Sequence, residues 1–312
     1  MEMALSLLEA SKLNDGNVAR QAIIEMFAFN SDILNALSWE DVQGGSLSYN
    51  QEGKLPGVAF RGYNEAYDES VGVINPQVEV LRIAGGDLDV DKALIKTRGA
   101  GIRSQHEAMK VKALSLNIAA KIINGDSAVN PREFDGLRKR IVGPQLFGPT
   151  AAQNVDGALS LEVLDAAIDA VDSPTHLIMS KAMRRKLTVA ARNPSIGGDI
   201  TYTVDNWGRR VAQYNDLPIL IADYDDTGAR IIDFNEAGPS ADSTTETSIY
   251  VVSLGAGMIT GLQNGVMEVN DLGEIDSKPV LRTRLEWLVG LATMHGRAAA
   301  RVYGITNAAV TA

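Results

Sequence analysis

The hydrophobic pattern changes period several times along the chain. From residue 4 to residue 40 it is helical: Val18, Ala22, Met26 and Phe29 recur at helical spacing, and Ile33, Leu34 and Leu37 continue an apolar face. Gly44-Gly45 breaks that pattern. Leu47, Tyr49 and Gln51 then alternate as in a strand, and Gly53, Pro56, Gly57 and Gly62 puncture the next stretch. Val71, Val73, Val78, Val80 and Ile83 supply more strand material. A long two-stranded arm is marginal on its own in water. Its backbone needs partners, so the arm is expected to lie on a neighbouring subunit.

The strongest helix falls at residues 102–124. Met109, Ala113, Leu116, Ala120 and Ile123 form one apolar stripe, and Val111, Leu114, Ile118 and Ile122 form another. A helix apolar on more than one side asks for contacts on more than one side. Gly125 is placed to end it as the residue after the cap. Residues 126–160 are rich in loop formers. Ser160 is the expected N-cap of a helix with the face Leu161, Leu164, Ile168 and Val171, and Ser180 that of a helix running to Ala191. Residues 176–179 read as a short buried strand, and 211–222 and 248–254 as further strands. The polar stretch 235–247 reads as an exposed loop. From Glu274 a charged, strand-like segment runs through Trp287, Leu288 and Leu291 toward Tyr303. Helix and strand mix without regular βαβ alternation, which predicts an α+β fold.

Composition narrows the function. The chain has 312 residues, 45% hydrophobic and 22% charged, enough for a large core and ordinary for a globular protein. A formal net charge of −10 argues against broad nucleic-acid binding by the free chain, though not against enclosing DNA. The absence of cysteine excludes disulfides, thiol nucleophiles and cysteine-based metal centres. No apolar run approaches the ~18 residues of a membrane helix, and the N-terminus lacks the basic region of a signal peptide.

Candidate chemistry is sparse. Gly255-Ala256-Gly257 imitates a dinucleotide turn, but position 260 is Thr where the fingerprint needs glycine. Asp87, Asp89 and Asp91 imitate the first ligands of a calcium loop, but Lys92 and Arg98 stand where glycine and glutamate belong. His106, His176 and His295 are far apart and form no zinc motif. The acidic groups Asp223, Asp225 and Asp226, and Glu65, Asp68 and Glu69, read as solvated loops. Arg132, Arg138, Lys139 and Arg140 form a small basic cluster, a salt-bridged surface or an inward-facing DNA contact. No catalytic, cofactor-binding or metal-binding residue is assigned, and no enzymatic activity or cofactor is expected.

The order of these segments resembles the major capsid proteins of tailed double-stranded-DNA bacteriophages, the HK-ninety-seven type of fold. AIIEMFAFNSDIL followed by a tryptophan is similar to the helical N-arm, and SYNQEGKLPGVAFRGYNEAYDES to the extended loop. LRIAGGDLDVDKAL and EAMKVKALSLNIAAKIINGDSAVNPREFDGL resemble the peripheral domain with its long spine helix. THLIMSKAMRRKL and QYNDLPILIADYD resemble the axial domain, and LRTRLEWLVGLATMHGRAAARVYGI the return to the peripheral domain. The resemblance implies an N-terminal arm at 1–45, an extended loop at 46–83, a peripheral domain at 84–134 and 274–312, and an axial domain at 135–273.

It also implies a role. Many copies, as hexamers and pentamers, would tile an icosahedral shell around non-specifically held double-stranded DNA. The shell would be assembled in a bacterial host's cytoplasm, without a membrane, and become the virion capsid. The long scaffolding segment of some members does not precede the arm, so a separate scaffolding protein is expected, together with a portal. Lys54, Arg61, Arg282, Arg284 and Glu286 are the candidate inter-subunit residues. Lys54 and Asn307 occupy regions that carry a covalent crosslink in one family member, but neither has the matching local motif, and Lys54 reads as an ordinary exposed lysine. Two other readings stand beside this one: an encapsulin-like shell around cargo protein, and an unrelated metabolic enzyme.

Overall fold

The computed structural model describes residues 31–99, 101–150, 156–193, 200–204, 210–239 and 245–311. The helical face expected over Val18, Ala22, Met26 and Phe29 lies outside them. The described chain is α+β and is organised around two sheets.

The first sheet is built on a 14-residue strand, β13 (Val280–Thr293). Along β13 the residues Thr283, Leu285, Trp287, Val289 and Leu291 are buried, while Arg282, Arg284, Glu286 and Leu288 are not, the period-two pattern of a strand with one buried face. On one side it pairs antiparallel with β4 (Arg82–Asp91). On the other it pairs with β12 (Glu268–Glu274) and then β11 (Ile259–Gln263). The short β1 (Trp39–Asp41) adds in parallel to β11, with Trp39 opposite Gly261. A Cβ at Gly261 would lie 2.7 Å from the Trp39 ring, so the tryptophan fits only over glycine. Trp39 then meets Trp287 with ring centroids 4.7 Å apart, in tilted contact. Ahead of β1, helix α1 (Asp32–Ala36) is capped by Ser31 and buries Ile33 and Leu34 in the same core.

The second sheet has the order β5-β14-β10-β6-β9-β8-β7. Its strands are β5 (Leu146–Phe147), β6 (His176–Met179), β7 (Ile200–Val204), β8 (Arg210–Tyr214), β9 (Leu217–Ile221), β10 (Thr247–Val252) and β14 (Ala299–Ile305). The β8–β9 hairpin turns at Asn215-Asp216, both with left-handed φ, the conformation that these two residue types tolerate best. Alternate residues of the central strands face opposite ways. Leu177, Met179, Ile249, Val251, Ala300 and Val302 pack in one core with helices α5 (Leu161–Asp169) and α6 (Lys181–Ala191). Ile178, Tyr250, Val252 and Ala299 pack in another, which is continuous with the first sheet.

Helices α2 (Lys92–Arg98) and α3 (Gly101–Asn124) follow β4, and the four-residue α4 (Leu137–Arg140) comes before β5. In α3 the stripe of Val111, Ile118 and Ile122 is buried, whereas Met109 is 66% exposed and Ala113, Leu116 and Ala120 are half-buried. Of the stripe Met109, Ala113, Leu116, Ala120 and Ile123, only Ile123 is fully buried, so that stripe is left partly open.

Several expectations are corrected. Gly125 does not take the left-handed conformation of a terminal cap. It is required because a Cβ there would lie 2.3 Å from the Phe134 carbonyl. Ser160 sits at the N-cap of α5, but its side chain makes no capping bond. The stretch 235–247 is not simply an exposed loop. Glu236 and Glu246 exchange backbone hydrogen bonds of 2.9 and 3.2 Å and are both buried. Glu236 accepts from Arg301 at 2.8 Å, and Ser248 donates to the same carboxylate. Strands β11 and β12 belong to the first sheet, and β14 to the second, because the turn after Thr293 redirects the chain.

His176 opens β6 half-buried, and burial pushes its pKa down to about 4. A histidine depressed in this way contributes full stability above its unfolded pKa of 6.5 and loses it as pH falls from 6.5 toward 4, up to about 3 kcal/mol. Urea unfolding of the His176→Gln subunit should therefore show a flatter pH dependence over that window. An unchanged profile would show that His176 does not set it.

Candidate assembly surfaces

Strands β2 (Ser46–Lys54) and β3 (Val73–Val80) pair with each other from Ser46↔Val80 to Lys54↔Val73 and form a separate two-stranded sheet. Between them, residues 55–72 contain no helix or strand. The arm exposes apolar side chains along its length: Val58 is 93% exposed, Phe60 104% and Tyr63 102%, with Leu55, Val71 and Ile74 also open to water. Large apolar side chains exposed together on one segment are the kind of surface that partners cover. The tip still has local order. Gly62 N donates to Glu65 Oε2 at 2.8 Å, and the Arg61 guanidinium reaches the Glu65 carbonyl and lies 5.3 Å from the Tyr67 ring centroid. Arg61 is thus held in the exposed tip. Lys54 closes β2, with its backbone opposite Val73.

The base of the arm is fixed to the body. Arg140 at the end of α4 donates to both carboxylate oxygens of Glu79 on β3, at 2.5 and 2.8 Å, and to the Leu291 carbonyl at 2.9 Å. Tyr49 on β2 donates to Glu79 at 3.4 Å and to the Thr293 carbonyl at 3.0 Å. Strand β4 begins opposite Val289, so these two β13 carbonyls lie beyond its reach and the latch bonds them instead. Burial opposes the Arg140 charge, but the Glu79 hydrogen bonds and charge outweigh it and raise the arginine pKa. Burial and the neighbouring Glu79 carboxylate likewise raise that of Tyr49.

On the outer face of the first sheet, Arg284 forms a fork with Asp87 at 2.7 and 3.0 Å, and Arg282 a fork with Asp89 at 2.7 Å for both bonds. These arginine hydrogen bonds hold the Asp87 and Asp89 carboxyls below the usual range. Asp91 instead caps α2 by accepting from Ala93 N at 2.7 Å. The three aspartates therefore do not converge as a calcium loop. Arg282 and Arg284, expected at a subunit contact, have their forks committed inside the subunit. Glu286 is exposed, directly opposite the exposed Glu268 of β12, a like-charge pair.

The remaining candidates have local structural explanations. Gly255 and Gly257 shape a tight turn into β11, a strand and not the helix that a dinucleotide site requires. His295 lies 3.6 Å from Asp172, His176 contacts Thr175, and no metal-ligand cluster occurs among the described residues. Lys139 pairs with Asp126 and Asp135, which with Arg140 commits half of the basic cluster internally. Asp225 organises its own turn by accepting from Thr227 and Ala229, Asp223 pairs with Lys181, and Asp226 bonds Asn117. Glu236 and Arg301 escaped sequence reasoning because only distant strand pairing brings them together.

The described fold thus consists of two sheets, a long helix against the first, and an apolar two-stranded arm. The encapsulin SrpI from Synechococcus elongatus PCC 7942 aligns over 90% of this chain and 89% of its own, with a TM-score of 0.64 and 15% identity. The capsid of a native GTA particle aligns over 88% and 90%, with a TM-score of 0.61 and 14% identity. A structure from Microbacterium phage Oxtober96 aligns over 88% and 90%, with a TM-score of 0.61 and 13% identity. No curated protein matches the chain significantly in sequence. The family model described as major capsid protein GP7 matches residues 14–162, just under half of the chain. The structural likenesses, at 13–15% identity, show a fold shared with encapsulin and capsid proteins, and the family match over residues 14–162 is similar in kind.

The latch yields a direct prediction. Arg140→Ala should cost the subunit about 2 kcal/mol, because Glu79 keeps its charge and loses the cation beside it. It should also speed proteolysis within residues 46–80. Unchanged stability and unchanged cleavage would show that Arg140 does not hold the arm.

Proposed function

We propose that this chain is the major capsid protein that builds the icosahedral head of a tailed phage around double-stranded DNA. The arm carries the reading: its exposed Phe60, Tyr63, Val58 and Ile74 make sense only when a neighbouring copy covers them. In this reading residues 46–83 are the extended loop, α3 is the spine helix and the second sheet is the axial unit. Arg61 and Glu286, with Lys54 on the arm, meet neighbouring subunits. Arg282 and Arg284 contribute there through whatever donor capacity Asp87 and Asp89 leave.

DNA is held by enclosure more than by grip, given the −10 balance. Assembly takes place in the bacterial cytoplasm with a separate scaffolding protein and a portal. No helix among the described residues is long and apolar enough to cross a membrane. The encapsulin reading has one support of its own, the structural similarity to SrpI. The GP7 family match favours the phage reading.

Purified particles decide between the two by their contents: packaged double-stranded DNA supports the phage head, and cargo protein the encapsulin. Isolated subunits should bind DNA weakly, without sequence preference, and lose it steeply with salt. Deleting residues 48–68 should leave a folded subunit that fails to form closed shells, as read by light scattering. Normal shells from the deletion would show that the arm is not an assembly element.

A further inference from the structure

Helices α5 and α6 pack on the same face of the second sheet and bury their apolar sides in one core. Their outer faces carry opposite charge. On α5 the exposed positions are Glu162, Asp165, Ala166 and Asp169. On α6 and the residue after it they include Arg184, Arg185, Val189 and Arg192. A solvated helix face ordinarily mixes both signs. Here one face has no cation and the other no anion.

The spacing matches as well as the charge. Glu162, Ala166 and Asp169 stand at i, i+4 and i+7, and so do Arg185, Val189 and Arg192. Each helix thus presents a charge, an apolar side chain and a second charge on one stripe about 10 Å long. Val189 is 60% exposed, a large apolar group facing water between two arginines. Glu162, Asp169, Arg185 and Arg192 have no ion-pair partner among the described residues. The stripes are therefore complementary, and neither is neutralised among the described residues.

The geometry points to a head-to-tail contact between two copies of this chain, in which the acidic stripe of α5 on one copy seats on the basic stripe of α6 on the next. This rests on the shell reading and names the surfaces that would join subunits within a ring. A contact between two different patches of identical chains is heterologous and closes into a ring when the rotation permits. Val189 would sit against Ala166 at its centre, with Glu162 and Asp169 facing the two arginines. A nucleic-acid backbone would explain the basic stripe alone; a second copy explains both stripes and their equal length. Such charge matching sets register and steers encounter more than it adds raw affinity.

The test uses the full chain and three variants: R185E/R192E, E162K/D169K, and the four changes combined. Each pair of reversals places like charges face to face and should lower the yield of closed particles on the order of tenfold or more. The combined variant restores opposite charges with the signs exchanged and should recover assembly, which separates lost pairing from lost folding. Normal particle yield from both reversed pairs would overturn the inference. So would a combined variant that stays as defective as the two pairs. Intact particles from R185E/R192E that have lost only nucleic acid would assign α6 to the packaged genome and overturn it too. Absence of particles from the unaltered chain would bring down the shell reading itself, a result distinct from these.

Discussion

Strand β13 is bonded on both sides, to β4 along Val280–Val289 and to β12 and then β11 on its other edge. Because β4 begins opposite Val289, the Leu291 and Thr293 carbonyls are left for Arg140 and Tyr49. The base of the arm therefore bonds to a stretch of β13 edge that β4 does not cover. Trp287, inward-facing on the same strand, holds Trp39, and through it the segment that leads into the arm.

The body has the buried cores of an independently folded protein, whereas the arm has almost none. Apolar side chains facing water carry a cost of roughly 25 cal/mol per Å², which covering them would recover. A shell resolves the imbalance. In the proposed shell each copy lays its arm on another and receives one in return, so that many modest contacts sum over a closed lattice. The half-open stripe of α3, with Met109 exposed, is a second surface of the same kind.

Local pattern made much of this legible in the sequence. The Ser180 cap, the helix over residues 102–124, the alternation of Leu47 and Tyr49, and the glycine break at 44–45 all depend on neighbours a few residues away. The hidden part depends on strand register. Asp87 and Asp89 resemble metal ligands until β4 is placed beside β13, where they face Arg284 and Arg282. Glu236 and Arg301 lie in segments that read as a polar loop and a charged strand, and become a buried ion pair only once β14 joins the second sheet. The separation of β13 from β14 was likewise unreadable, because no strong breaker other than Gly296 marks the turn. For the assembly surfaces, the arm was evident from its glycines and alternation, but its Arg140–Glu79 latch spans segments far apart in sequence.

The central claim is that the arm is solvent-exposed in the subunit and covered in the shell. Amide hydrogen exchange at residues 46–80, compared between free subunits and assembled particles, measures this directly. Exchange across the arm, Phe60 and Tyr63 included, should be fast in the subunit and strongly slowed in the particle, while the β13 amides are protected in both. Equal, fast exchange of the arm in both states would contradict the account.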